Sequence, residues 1–258
     1  MFGGTIGAVM IPSSVLRCLV LSFAFSLFGR TAVAQDSPKT PPGSVPADPF
    51  AKWEKEVSAM EAADAKSPPP KGEVLFIGSS TIRMWKSLAQ DYPEHQVINR
   101  GFGGSQIVDA THFAPRLVIP HAPRVILFRS GGNDINAGKS PEQVFADYKD
   151  FVSAIHAKLP QTEIIYIGLA PTIARITQVG KGNVLNGLIR EWSAKNPKLK
   201  YVDCANLSVG SDGQPRAELF LPDKLHFNDA GYKLLAERVR PFLPAPAKKS
   251  EPSAPQGK

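Results

Sequence analysis

A chain of 258 residues with 43% hydrophobic content has room for one globular domain with a sizeable core, plus tails. Its formal net charge of +7 is mild for that length, and no basic stripe interleaved with aromatics runs through it, which sets nucleic acid aside as a partner. Two cysteines, one of them within the first 34 residues, exclude a disulfide scaffold.

Residues 1–34 read as a secretory signal peptide. Arg17 precedes the apolar stretch Cys18 to Phe28, and Ala32-Val33-Ala34 forms an A-x-A cleavage site. The stretch is too short to span a bilayer comfortably, although an uncleaved N-terminal anchor is the rival reading. Cys18 follows bulky Arg17 and is a poor lipid-attachment site. Cleavage leaves Cys204 as the sole cysteine, so the mature chain relies on its core, in the periplasm or outside the cell. Residues 35–48 are rich in Pro, Ser and Asp and read as a linker. Residues 245–258 read as a disordered tail whose lysines offer weak contact with an anionic envelope surface.

The domain is expected over residues 49–244, where strand and helix signals alternate. Phe50, Trp53, Val57 and Met60 recur at helical spacing. Pro68-Pro69-Pro70 then forces an extended connection into an apolar run from Val74 to Ser80. Further strands are expected at Gln96–Asn99, Val125–Phe128, Ile164–Ile167 and Leu199–Val202. Their near-continuous apolar character suits strands covered on both faces. The clearest helix follows Ser140-Pro141-Glu142-Gln143, where serine caps, proline suits the first turn and Gln143 can complete a capping box. Val144, Phe145, Tyr148, Val152, Ile155 and Leu159 give it one apolar stripe. A second helix carries Val184, Leu185, Leu188, Ile189 and Trp192; a last one starts near Asp229. Alternating β and α units give a doubly wound parallel sheet, with the ligand beyond the carboxyl ends of the strands.

Ser80, Gly101 and Asn133 all fall just after expected strands and should converge there. Ser80 is the candidate nucleophile, a hydroxyl that needs a base to take its proton; a helix N-cap is the structural alternative. Asp223 stands three residues before His226, which suits a base and the carboxylate that fixes its tautomer. His95, His112, His121 and His156 have no comparable acid partner, and no spacing among the five histidines suggests zinc. In the turn from Asn99 to Gly104, the Gly101 N–H could face a reacting carbonyl oxygen; a dinucleotide loop is disfavoured because G-x-G-x-x-G is absent. Asn133 can donate its amide to an oxyanion, while Asp134 suits loop bracing. Trp53, Trp85 and Trp192 are expected in the core, with Trp85 a second candidate for the site wall.

The four segments together resemble the SGNH/GDSL hydrolase superfamily over roughly residues 72–241. Gly78-Ser79-Ser80 stands at its Gly-Asp-Ser, Gly101 at its oxyanion glycine, Asn133 at the asparagine of G-x-N-D, and Asp223 and His226 at its D-x-x-H. Asn99–Gly104 and Gly131–Asp134 are similar to the branch that holds the platelet-activating factor acetylhydrolase catalytic subunits. Ser79 departs from the family's aspartate, which touches loop bracing more than chemistry.

The resemblance implies a three-layer α/β/α, flavodoxin-like fold with a five-stranded parallel sheet. It also implies serine esterase chemistry without metal or cofactor, through a Ser80, His226, Asp223 triad and an oxyanion hole of Ser80, Gly101 and Asn133. Short connections between motifs leave little room for a lid, so the expected substrate is a short acyl ester, acetyl above all, on a small molecule or carbohydrate. A lysophospholipase, a thioesterase, a non-catalytic envelope-binding module and a nucleotide-binding flavodoxin-like protein are the alternatives.

Overall fold

The computed structural model describes residues 48–246. The expected signal peptide, nearly all of the linker and most of the tail lie outside the described residues. The elements run α1 (Ala51–Lys66), β1 (Val74–Gly78), α2 (Ser80–Arg83), α3 (Leu88–Asp91), β2 (Val97–Gly101), α4 (Ile107–Leu117) and β3 (Val125–Arg129). There follow α5 (Gly132–Asn136), α6 (Pro141–His156), β4 (Glu163–Ile167), α7 (Val179–Ser193), β5 (Leu199–Val202) and α8 (Asp229–Val239).

Five strands pair in parallel in the order β2-β1-β3-β4-β5. The chain leaves β1 in one direction to make β2 and returns on the other side for β3. The strand order therefore reverses between β1 and β3, and a crevice opens there at their carboxyl ends. Alternate strand side chains feed two cores. Leu75, Ile77, Ile126, Phe128, Ile164 and Tyr166 face α1, α4, α6 and α7. Val74, Phe76, Val125, Leu127, Ile165 and Val202 face the short helices after β1 and α8. Each fully buried aliphatic side chain contributes roughly 1.5–3 kcal/mol, so a sheet covered on both faces holds its strand ends firmly.

The α6 capping box forms as the sequence suggests: the Gln143 N–H donates to Ser140 Oγ at 3.2 Å, and the Ser140 N–H donates to Gln143 Oε1 at 2.8 Å. The helix between β2 and β3 is not legible in that way. It is capped by Gln106, outside the usual set of cap residues, with Asp109 closing the box. Pro115 lies inside it and removes one backbone donor. Trp53 and Trp85 are buried, and Trp192 packs against the first core. Trp85 lies among Phe76, Tyr92 and Tyr232 in the second core, away from the site wall.

Gly78 ends β1 with φ +152, and a Cβ there would meet the Arg129 carbonyl oxygen at 2.0 Å. Both the conformation and the close approach require glycine. Gly187, inside α7, has open space where a Cβ would stand. Gly78→Ala should lose about 3 kcal/mol in urea unfolding, whereas Gly187→Ala should gain up to about 1 kcal/mol. Cys204 lies in the second core, and burial pushes its thiol up to about 11. Almost none of it is thiolate at pH 8, so a disulfide reagent should leave Cys204 unmodified in the folded protein and label it after denaturation, as read by peptide mass spectrometry. Rapid labelling of the native chain would contradict the buried placement.

Candidate active site

Ser80 is the first residue of α2, directly beyond β1. The cap position belongs to Ser79, whose side chain makes no capping bond. Its backbone N–H instead donates to the Arg129 carbonyl at 3.2 Å and ties the turn to β3. The Ser80 hydroxyl is thus not spent on the helix end. Among the described residues its backbone N–H donates to no protein group.

Asp223 and His226 lie on a loop before α8 that is closed by an antiparallel bridge between Phe220 and Phe227. Asp223 Oδ1 accepts from the Leu225 N–H at 2.9 Å and the His226 N–H at 3.0 Å. Lys224 takes the left-handed φ of +58 that this tight turn needs. Asn228 caps α8 through the Gly231 N–H at 3.1 Å and also reaches back to the Glu218 carbonyl at 2.8 Å. Tyr232, one turn into α8, donates its hydroxyl to the Thr81 carbonyl at 2.9 Å, which pins α8 to the serine turn.

The structure therefore brings all three candidates together. Ser80 Oγ lies 2.9 Å from His226 Nε2, and Asp223 Oδ2 lies 2.7 Å from His226 Nδ1. With Nδ1 as the protonated nitrogen, the ring donates to Asp223 and accepts from Ser80. The hydrogen bond from His226 is the largest influence holding the Asp223 carboxyl down at about 2. The carboxylate is half exposed yet stays charged through the ordinary assay range.

The oxyanion candidates fare differently. Asn133 lies in α5, where its Nδ2 donates to the Ser105 carbonyl at 3.0 Å and its Oδ1 accepts from Arg175 Nη2 at 2.9 Å. These contacts fix which end of the amide faces the site and leave one amide hydrogen unused. Asp134 is fully buried and accepts from the Ile107 N–H at 3.2 Å and from Lys139 Nζ at 3.1 Å, so it braces α4 against this turn. Gly101 is a correction. Its N–H donates to Asn99 Oδ1 at 2.9 Å, and its α-carbon is pressed against the backbone of Arg83, where a Cβ would stand 2.2 Å from the amide nitrogen. Gly101 is required for packing, and its donor is occupied. Gly104, later in the same turn, has φ +73 and an N–H with no partner among the described residues. Trp53 of α1 holds this turn by donating Nε1 to the Gly103 carbonyl at 2.8 Å.

Ser80, His226, Asn133 and Arg175 line one cavity of about 100 Å³ at the carboxyl ends of β1, β3 and β4. Gly101, Gly104 and Trp85 are not in its wall. Arg175 was not singled out by the sequence. The only available signal was its place in the loop after β4, at the end of the sheet where such folds bind ligands. His121 is a second correction: its Nε2 lies 3.3 Å from Asp64, an acid partner supplied by the distant α1. Burial and the Arg100 charge lower its pKa, so it stays neutral beside that carboxylate.

The GDSL-like Lipase/Acylhydrolase family matches residues 78–234, more than half of the chain. Platelet-activating factor acetylhydrolase IB subunit alpha1 of Bos taurus is 28% identical over 190 residues, covering 70% of this chain and 78% of that protein. A solved structure from Streptococcus pneumonia superposes with a TM-score of 0.67 at 18% identity and covers 75% of this chain and 94% of that one. A variant of an acetyl-xylooligosaccharide esterase from Geobacillus Stearmophilus superposes with a TM-score of 0.54 at 17% identity, covering 67% and 94%. At such identities the structural likenesses speak for the fold alone. The family match spans the turns that carry Ser80, Asn133 and His226, and with it the expectation from the sequence holds: the chain belongs to the GDSL-like lipase/acylhydrolase family and is an ester-hydrolysing enzyme.

Proposed function

We propose that this enzyme cleaves short acyl esters, acetyl esters first, through Ser80, His226 and Asp223. One observation carries the reading: an unbroken hydrogen-bonded chain from Ser80 Oγ through the His226 ring to Asp223 Oδ2, at 2.9 and 2.7 Å, opening on a cavity.

In this reading His226 Nε2 takes the Ser80 proton as Oγ attacks the acyl carbon, and Asp223 stabilises the imidazolium. The carbonyl electrons move onto oxygen. The Ser80 N–H and the unused Asn133 amide hydrogen are donors for that charge. Gly104 replaces Gly101 as the glycine donor, because its N–H has no partner among the described residues and the next residue, Ser105, already meets the Asn133 amide. Collapse expels the alcohol, which takes its proton from His226. A water then gives a proton to the same ring and attacks the acyl-enzyme, and the ring returns that proton to Ser80 Oγ as the acid leaves.

Cavity size supports a short acyl group. The lined part of the cleft, about 100 Å³, is matched by an acyl group of a few carbons. A carbohydrate alcohol fits an uncovered site, and the structural likeness to an acetyl-xylooligosaccharide esterase makes acetylated sugars the first substrates to try. The N-terminal sequence supports action outside the cytoplasm.

Ser80→Ala should abolish hydrolysis of p-nitrophenyl acetate while leaving circular dichroism and melting temperature unchanged. Full turnover by that variant rejects the assignment. Asn133→Ala should lower kcat on the order of 10²–10³-fold, and Asp223→Asn by up to about 10⁴-fold. On p-nitrophenyl esters of rising length, kcat/KM should fall beyond a few carbons. A maximum at octanoate or longer would contradict the short-acyl reading.

A further inference from the structure

We infer that the cavity beside Ser80 takes an ester bearing an anionic oxygen group, a carboxylate or a phosphate, and that Arg175 binds that group. The inference rests on the serine esterase reading of the site and names the substrate class it serves.

Charge balance is the first observation. Two arginines, Arg129 and Arg175, line the cavity, and no aspartate or glutamate does. Arg129 is buried and donates Nη1 to the Gly168 carbonyl. Arg175 is partly buried and donates Nη2 to Asn133 Oδ1. Among the described residues neither has a carboxylate partner within ion-pair distance. The nearest acid of the mechanism, Asp223, is committed to His226 and two backbone N–H groups. Removing a cation from water without a counter-charge is unfavourable, and an anionic ligand relieves it.

The free valences of Arg175 are the second. Its Nε and Nη1 make no hydrogen bond to the described protein. Nη1 lies over Gly132, where a Cβ would stand 3.3 Å away. A guanidinium with an unused edge is the planar fork that carboxylate and phosphate oxygens match. Its loop is held in place: the Ala174 N–H donates to the Lys224 carbonyl at 3.0 Å, coupling this arginine to the histidine turn.

A neutral acetyl ester leaves the unused guanidinium edge without a partner.

The test uses the whole enzyme and matched esters. Phenyl acetates bearing a meta carboxamide, carboxylate or phosphate place the charge on the alcohol side and separate the two anions. Monophenyl succinate against phenyl methyl succinate places it on the acyl side. At low ionic strength, at least one anionic ester should exceed its neutral partner in kcat/KM by about tenfold or more, and added salt should reduce the ratio. In Arg175→Gln the ratio should fall towards one, and Arg175→Lys should restore part of it. Absence of any anionic preference in the wild type overturns the inference. So does an equal slowing of neutral and anionic esters in Arg175→Gln, which would make Arg175 a positioning residue for Asn133 only. Neutral esters report separately on the underlying reading: if Ser80→Ala hydrolyses them at the wild-type rate, the serine esterase assignment fails first.

Discussion

The hydrogen bond between Ser80 Oγ and His226 Nε2 joins residues 146 positions apart, and nothing local holds it. It exists because the sheet is wound so that β1 lies in its interior and the last loop returns over its carboxyl end. Two further contacts set the distance. Tyr232 ties α8 to the carbonyl of Thr81, next to the serine. Gly231 lets α8 approach the preceding loop so closely that a Cβ would stand 2.5 Å from the Leu219 carbonyl. The helix after His226 is therefore a scaffold for one imidazole ring. The two faces of the sheet divide the labour: α1 and α4 hold the glycine turn and Asp134, and α8 holds the base.

The site's electrostatics split along the same line. Behind the Asn133 turn, the buried Asp134 carboxylate and Asp147 share Lys139, the latter at 2.7 Å, so both acids there have a cation within the protein. In front of the turn, Arg129 and Arg175 have hydrogen bonds to oxygens that carry no full charge. Asn133 stands between the two. Its Oδ1 is held by a cation, which polarises the amide and orients its N–H₂ towards the reacting side. The same contact links substrate charge to the oxyanion site, because a ligand gripped by Arg175 would settle against the group that positions Asn133.

Much of this was legible in the sequence, for identifiable reasons. Strands β1, β3 and β4 are near-continuous apolar runs, and burial on both faces is what such runs encode, whereas β5 at the sheet edge carries the exposed Lys200. Ser80, Asp223, His226 and Asn133 stand at strand ends or before the last helix, where any doubly wound sheet converges. Other features depend on contacts that no spacing reveals. In the turn from Gly101 to Gly104, three glycines offer a backbone donor; the Asn99 side chain takes that of Gly101 and Glu56 that of Gly103, which leaves Gly104. The partner of His121 comes from α1, far away in the chain. The α4 helix lacked the usual cap and contained Pro115, so its apolar stripe was masked. Arg175 belongs to no motif. It gains meaning only when the loop after β4 folds over the Asn133 turn and the cavity turns out to hold no acid.

The central claim is that Ser80 is activated as a nucleophile by His226, and covalent trapping tests it most directly. A fluorophosphonate ester phosphonylates a serine whose proton is removed by a neighbouring base, with fluoride as the leaving group. Intact-mass and peptide measurements on the full enzyme should show a single adduct, on the peptide carrying Ser80, formed within minutes at neutral pH. The adduct should be lost in His226→Ala at unchanged melting temperature. No adduct on the folded wild-type enzyme, or an adduct at Ser80 that forms as fast without His226, would contradict the account.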